Sequence, residues 1–151
     1  MGVGNRYAGD DGAGLEVARR LRVRAVAAGL TVHELEGEPL ALLEVWEGAR
    51  AAVLIDAVRS GAAAGTTHRA DVSVEPLPAP MRRVASTHAV GVAEAIELAR
   101  ALGRLPPAVV VFGLEGERFS AGCSLSTAVA AAVGALADRV LGEARALAQT
   151  R

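Results

Sequence analysis

The chain of 151 residues contains a single cysteine, Cys123. One cysteine excludes an internal disulfide and a cysteine-based structural zinc site, and it fits a reducing compartment. The amino terminus lacks the pattern of a signal peptide, and charged residues interrupt the apolar run near the carboxyl terminus. The sequence therefore predicts a cytoplasmic protein that does not enter a membrane.

Aromatic residues and excess charge are also scarce. Aromatic side chains make up 3% of the chain against 52% for all hydrophobic residues, so we expect a core of alanine, valine and leucine. The formal net charge is -1, and no basic stripe with interleaved aromatics is present, which argues against a nucleic-acid partner. The length suits one domain, and we expect residues 1–151 to form a single compact unit.

Several well-known catalytic and nucleotide-binding signatures are missing. The sequence has neither H-E-x-x-H nor G-x-S-x-G, so the common zinc-protease and serine-hydrolase mechanisms have no support. The glycine-rich stretch GDDGAG does not fit the dinucleotide fingerprint, because Tyr7 stands where that pattern needs a glycine. Its two acids, Asp10 and Asp11, would also repel a phosphate at a helix N-terminus. A nucleotide site is therefore disfavoured.

What the chain does contain is an alternation of strand and helix patterns. Strands are predicted at 31–36, 51–57, 66–74 and 108–114, and helices at 12–29, 39–48, from 86 or 87 to 102, and from 127 onwards. This order predicts an α/β fold, a three-layer α/β/α sandwich of the phosphorylase/hydrolase-like kind, with a mostly parallel sheet and 66–74 at an edge. Because only Met1 to Val3 precede the glycine turn at Gly4, we expect a truncated first strand or a start codon upstream.

Three residues qualify as candidate site residues because each follows or ends a predicted strand. Asp11 lies in the first strand-to-helix turn, Asp56 ends the most apolar strand, and His88 lies at the start of the third predicted helix. In open α/β sheets such positions meet at the carboxyl edge, where ligands bind. Two carboxylates and one imidazole suit a first-row transition metal better than calcium or magnesium. Asp11 taken alone is better explained as an acid of the first turn that caps the helix and complements its dipole.

Other conspicuous residues have simpler interpretations. Trp46 lies on a helical apolar stripe and is predicted to belong to the core. We interpret His33 and His68 as surface residues, and Cys123 as a small buried or loop residue because no histidine neighbours it in sequence. Asp10 has two interpretations, as a second site residue or as a helix cap.

Four segments, taken together, carry a family resemblance. They are GVGN-x4-DDGAG, IDAVRSGAAAGT, STHAVGVAEAIELARALGRLP and the LS dipeptide before the last helix. In this order and spacing they resemble the hydrogenase maturation proteases, the endopeptidases that trim the C-terminal extension of the large subunit of nickel-iron hydrogenases. The resemblance covers nearly the full chain.

The resemblance implies a function and a set of site residues. In that family an acidic residue of the first turn, an aspartate ending a central strand and a histidine of the S-x-H segment bind metal and are needed for processing. These positions fall on Asp11, Asp56 and His88, which are therefore both the catalytic and the metal-binding candidates. The implied partner is a hydrogenase large-subunit precursor, and a monomer is a plausible working state.

The resemblance also implies nickel, carried by the substrate, although other divalent transition metals could occupy the site. Two roles for the metal are left open: a recognition tag held by the precursor, or a Lewis acid that activates water for hydrolysis. A second hypothesis from a different class is a non-catalytic chaperone that recognises a nickel-loaded partner without cutting it.

Overall fold

The computed structural model describes residues 1–36, 39–82 and 91–150. Five strands and four α-helices are present in these ranges, together with short 3-10 turns at Gly9–Gly12, Pro39–Ala41 and Ala79–Arg82. The strands are β1 Gly2–Gly4, β2 Glu34–Glu36, β3 Ala51–Val58, β4 Thr67–Asp71 and β5 Ala108–Glu115. The helices are α1 Ala13–Ala27, α2 Leu42–Val45, α3 Val92–Ala101 and α4 Thr127–Gln149.

The strands form one sheet in the order β2-β1-β3-β5-β4. Neighbouring strands run parallel except at β4, which pairs with β5 in the antiparallel sense and lies at the edge. The predicted mostly parallel sheet and the predicted edge strand are both confirmed. The parallel arrangement places the carboxyl ends of β1, β3 and β5 at one edge of the sheet.

The two faces of the sheet are covered by different helices. Along β3, Leu54 and Val58 pack into a cluster with α2 and α3, whereas Val53 and Ile55 pack into a second cluster with α1 and α4. A strand that is buried on both faces has to be apolar throughout, which is why the AAVLIDA pattern identified it. The predicted three-layer sandwich is confirmed.

Some boundaries differ from the sequence-based prediction. The helix expected over 39–48 is reduced to a 3-10 turn followed by the four residues of α2, although Trp46 is fully buried as predicted. The third helix begins at Val92, and the backbone N–H of Gly91 donates to the Glu94 carboxylate at 2.9 Å. That local hydrogen bond fixes the start. The earlier start predicted at residue 86 or 87 lies outside the described residues.

Strand β1 is short, as predicted for the first strand; it has three residues and lies between β2 and β3. Within the described residues, no helix is both long and apolar enough to cross a membrane.

The approach of α1 to the sheet depends on Gly14. A Cβ atom at this position would overlap the carbonyl oxygens of Val3 and Ile55, so the helix backbone lies directly on β1 and β3. Gly142 in α4 is the opposite case, because a Cβ there would meet nothing within 4 Å.

We expect Gly14→Ala to lower the free energy of unfolding by about 2–4 kcal/mol, because the backbone of α1 would have to move off the sheet. Gly142→Ala should raise it by about 0.5–1 kcal/mol through better helix propensity alone. Urea unfolding of both variants checks the pair. Equal effects of the two substitutions would show that α1 does not need this close contact.

Candidate functional site

The carboxyl edge of the sheet holds a concentration of buried acids. Asp10 and Asp11 follow β1, Asp56 lies two residues before the end of β3, and Glu115 ends β5. Each of these side chains is at most 5% exposed. A buried carboxylate is costly unless it is hydrogen-bonded or paired with a cation, so the partners of each acid indicate its role.

Asp10 is a structural acid. Its carboxylate accepts hydrogen bonds from the backbone N–H groups of Glu117 and Arg118, both at 2.9 Å, and of Ser126 at 2.6 Å. Burial acts to raise the pKa of Asp10, but the backbone hydrogen bonds outweigh it and hold the net pKa below its usual value. Asp10 therefore ties the first turn to the β5–α4 loop, residues 116–126, as an ionised side chain.

These contacts bear on two predictions, one for the start of α4 and one for the role of Asp10. The helix begins directly after Ser126 as predicted, but the Ser126 hydroxyl makes no capping bond to α4, and its backbone N–H bonds Asp10 instead. Neither the capping interpretation nor the second-site interpretation of Asp10 describes these contacts. Cys123 is a loop residue as predicted, and its carbonyl accepts from the Gly9 N–H at 3.2 Å.

The first turn folds back on itself and so brings Asp11 towards the sheet. Gly4 has a φ of +148°, and a Cβ there would overlap the Asp11 carbonyl oxygen. That carbonyl accepts a hydrogen bond from the Asn5 N–H at 3.3 Å. Only glycine combines this φ with so close an approach, which is the physical role of the GVGN motif.

Glu115 is a second structural acid. Its carboxylate accepts from the Ser60 N–H and hydroxyl, both at 2.7 Å, and from the Gly61 N–H at 2.9 Å, and it lies 3.1 Å from His68 Nε2. Burial acts to raise the pKa of Glu115, but hydrogen bonds from Ser60, Gly61 and His68 outweigh it and lower the net pKa. Glu115 thus fixes the loop that follows the Asp56 strand.

His68 lies on the edge strand and is partly exposed, and sequence reasoning missed its contact with a buried acid. Its side chain is 24% exposed and contacts the buried Glu115 carboxylate across the β4–β5 pair. Sequence reasoning also missed Glu115 itself. The sequence did contain a signal for Glu115. It is the last residue of a buried strand, and Asp56 lies two residues before the end of another, so the same strand-end argument applies to both.

Asp56 and Asp11 form the remaining pair of buried acids at this edge. Asp56 Oδ1 accepts one hydrogen bond, from the Ala57 N–H at 2.9 Å. No cationic side chain of the described residues forms an ion pair with Asp56. Burial, and next the negative charge of Asp11, raise the pKa of Asp56 to about 8. Asp56 therefore carries a proton at neutral pH.

This pair is chemically suited to a divalent cation. Two carboxylates that oppose each other in a water-poor site repel until a proton or a cation neutralises one of them. A transition metal ion would replace the proton on Asp56 and accept oxygen ligands from both side chains. By this chemistry the two carboxylates fit a metal-binding role.

The structure brings together two of the three predicted site residues. Asp11 and Asp56 act on each other electrostatically. His88 lies in 83–90, outside the described residues, and no group of three metal-binding side chains occurs within the described ranges. The metal-binding roles of Asp11, Asp56 and His88 stay predictions.

A separate apolar cavity of about 580 Å³ lies at the opposite, amino-terminal edge of the sheet, between the sheet and helices α1 and α4. Its lining includes Leu21, Val53 and Leu141 and contains no acidic side chain. It lacks groups for hydrolytic chemistry, so the carboxyl edge is the candidate site.

Comparison with known structures supports the fold described above. A hydrogenase maturating endopeptidase HybD from E. coli superposes with a TM-score of 0.75 at 23% identity, over 95% of this chain and 89% of the other. A [NiFe] hydrogenase maturation protease HybD from Thermococcus kodakarensis has a TM-score of 0.66 at 26% identity, over 98% and 96% of the two chains. A HycI protease from Thermococcus kodakarensis gives 0.72 at 19% identity, over 93% and 87%.

Sequence comparison gives the family. No curated protein sequence matches the chain significantly. The family model described as hydrogenase maturation protease matches residues 16–143, which is most of the chain. The resemblance drawn from the four sequence segments, and the prediction of a peptidase, are both confirmed. By this match and by its fold, the chain belongs to the hydrogenase maturation protease family, a family of peptidases.

Proposed function

We propose that this protein is an endopeptidase that removes the C-terminal extension of a nickel-loaded hydrogenase large-subunit precursor in the cytoplasm. It recognises the metal through Asp11, Asp56 and His88. The observation that carries the proposal is the Asp11–Asp56 pair, which lies at the ligand-binding edge of the sheet in a chain of this family.

The chemistry of the pair follows from its protonation. Before the substrate binds, the proton on Asp56 neutralises one of the two carboxylates and keeps the metal-free site stable. When the precursor presents its nickel, Asp56 would give up that proton to solvent, and both carboxylates would serve as oxygen ligands. His88 would add a nitrogen ligand. The pair thus discriminates between a metal-bearing substrate and a metal-free one.

The structural acids support this role. Asp10 fixes the turn that carries Asp11, and Glu115 fixes the loop that follows Asp56. Because both are ionised and fully hydrogen-bonded, neither has to reorganise when the substrate binds. Ligands that are held in place in this way lose little entropy on binding.

A mass assay tests the proposal. The protein is incubated with a nickel-loaded precursor and, separately, with the same precursor free of metal, and the intact masses are recorded over time. We expect that only the nickel-loaded precursor, and not the metal-free one, loses a C-terminal peptide. A stable complex without any mass loss would contradict the proposal and would favour the non-catalytic chaperone.

The same assay separates the two roles left open for the metal. The metal-free precursor is incubated with the protease in the presence of added zinc. Cleavage under these conditions would indicate a hydrolytic metal bound by the protease itself. We expect none, because the proposal places the metal on the substrate.

A further inference from the structure

Two loops beside Asp11 are joined into one surface, which we call the ledge: residues 5–8 of the first turn and residues 116–126 of the β5–α4 loop. The Gly122 N–H donates to the Tyr7 carbonyl at 2.7 Å, and the Asp10 N–H donates to the Arg118 carbonyl at 2.6 Å. The Asp10 carboxylate adds three further bonds from the second loop. The ledge is therefore fixed to the turn that carries Asp11.

The ledge carries the most exposed aromatic side chain of the protein. Tyr7 is 70% exposed, whereas Trp46 and Phe112 are at most 1% exposed. Phe119, the only other aromatic residue, is half-buried, and the Arg59 guanidinium covers its ring at 4.6 Å. In a chain with 3% aromatic residues, a single exposed ring thus lies on the turn that carries Asp11.

The backbone of Tyr7 is held on both sides. Its N–H donates to Asn5 Oδ1 at 2.9 Å, and its carbonyl accepts from the Gly122 N–H at 2.7 Å. The neighbouring Arg6 guanidinium forms an ion pair with Glu36, so that charge is already engaged. At this point the ledge presents the Tyr7 ring, with its apolar face and polar hydroxyl, on a backbone that is held by hydrogen bonds.

Such a ring suits a polypeptide partner. Tyrosine gives a large contact area at a low cost in conformational entropy, and it dominates many protein interfaces when its backbone is preorganised. Because the adjacent arginine is paired with Glu36, the ring is the feature that this part of the ledge presents, and an apolar side chain complements its face.

We propose that the ledge is the docking surface for the hydrogenase precursor, with Tyr7 packing on an apolar side chain of that precursor near its metal-bearing segment. The inference rests on the proposed function and adds a recognition residue that does not touch the reacting atoms.

The test compares Tyr7→Ala and Tyr7→Phe with a matched control, Val74→Ala. Val74 is 82% exposed and follows β4, whose last residue pairs with Val110 near the opposite edge of the sheet. We expect Tyr7→Ala to raise the KM and the Kd for nickel-loaded precursor about tenfold or more, as at interface hot spots. The kcat and the Tm should stay close to the wild-type values. Tyr7→Phe keeps the ring and should bind within about threefold of wild type, and Val74→Ala should bind as wild type.

The outcomes separate the two proposals. Wild-type protein that neither binds nor cleaves the precursor contradicts the proposed function itself. Wild-type protein that cleaves, together with Tyr7→Ala protein of unchanged KM and Kd, overturns only the docking role of the ledge. A loss confined to kcat in Tyr7→Ala would also overturn it, because Tyr7 would then act on the position of Asp11.

Discussion

Asp56→Asn is expected to abolish precursor cleavage and at the same time to make the protein more stable above acidic pH. Asparagine has nearly the same shape but carries no negative charge, so it cannot replace a carboxylate as an ionised oxygen ligand. We expect cleavage of nickel-loaded precursor to fall about 1,000-fold or more, as when one member of a cooperating catalytic set is removed. Opposite effects on activity and stability are typical of a functional site that is held under strain.

The pH dependence of the stability effect follows from linkage. The pKa of Asp56 is raised to about 8 in the folded protein, so between about pH 4 and pH 8 the folded state holds a proton that the unfolded state has lost. Wild-type stability therefore falls as pH rises through this window, by at most about 1.4 kcal/mol per pH unit from this group. The Asn variant lacks the group, so its advantage should grow from pH 4 to pH 8 and then level off.

Denaturant unfolding at several pH values measures this difference. We expect the total advantage of Asp56→Asn above pH 8 to be on the order of 3–5 kcal/mol. Asp138→Asn is the control, because Asp138 is exposed on α4 and pairs with Arg24 at the surface. That control should change stability by about 0.5 kcal/mol or less and leave cleavage intact. A constant difference between Asp56→Asn and wild type across this pH range would argue against a protonated Asp56.

Asp10→Asn is expected to have the opposite effect on stability. An amide offers one acceptor oxygen, and its NH₂ group would face at least one of the backbone N–H groups that now bond the carboxylate. Leaving buried donors unsatisfied in this way should cost about 3 kcal/mol. Cleavage should fall as well, because the turn that carries Asp11 loses its attachment to the β5–α4 loop.

The sign of the pH dependence distinguishes Asp10 from Asp56. The pKa of Asp10 is lowered in the folded protein, so its contribution to stability is fully present above about pH 4 and is lost as pH falls through the folded pKa. The deficit of Asp10→Asn relative to wild type should therefore shrink below pH 4. Denaturant unfolding at pH 3 and pH 7 measures it. An equal deficit at both pH values would show that the charge of Asp10 is not what the loop needs.

The fold was largely predictable because the strongest patterns in the sequence come from burial. Strands β3 and β5 are covered on both faces, and their continuous apolar runs follow directly from that environment. The boundaries that were missed depend on single hydrogen bonds. The end of β4 is such a case, because the strand ends at Asp71, whose carboxylate accepts from the Ser73 N–H at 3.0 Å. Periodicity carries no information about such bonds.

The candidate site was predictable in part for a different reason. Parallel strands bring their carboxyl ends together, so a strand-end rule suffices to select Asp11 and Asp56 from the amino-acid sequence alone. The rule does not tell which acids will be satisfied by backbone donors. The contacts that give Asp10 and Glu115 their structural roles come from residues far away in the chain, such as Ser126 and Ser60.

The central claim is that Asp11 and Asp56 bind the nickel of the substrate. X-ray absorption at the nickel edge tests it most directly, on the nickel-loaded precursor alone and on the same precursor frozen rapidly after mixing with the protease. The account predicts that the nickel gains oxygen ligands in the wild-type mixture and gains none with the Asp11→Asn/Asp56→Asn double variant. A nickel spectrum that is identical for the free precursor and the wild-type mixture, while cleavage proceeds, would contradict it.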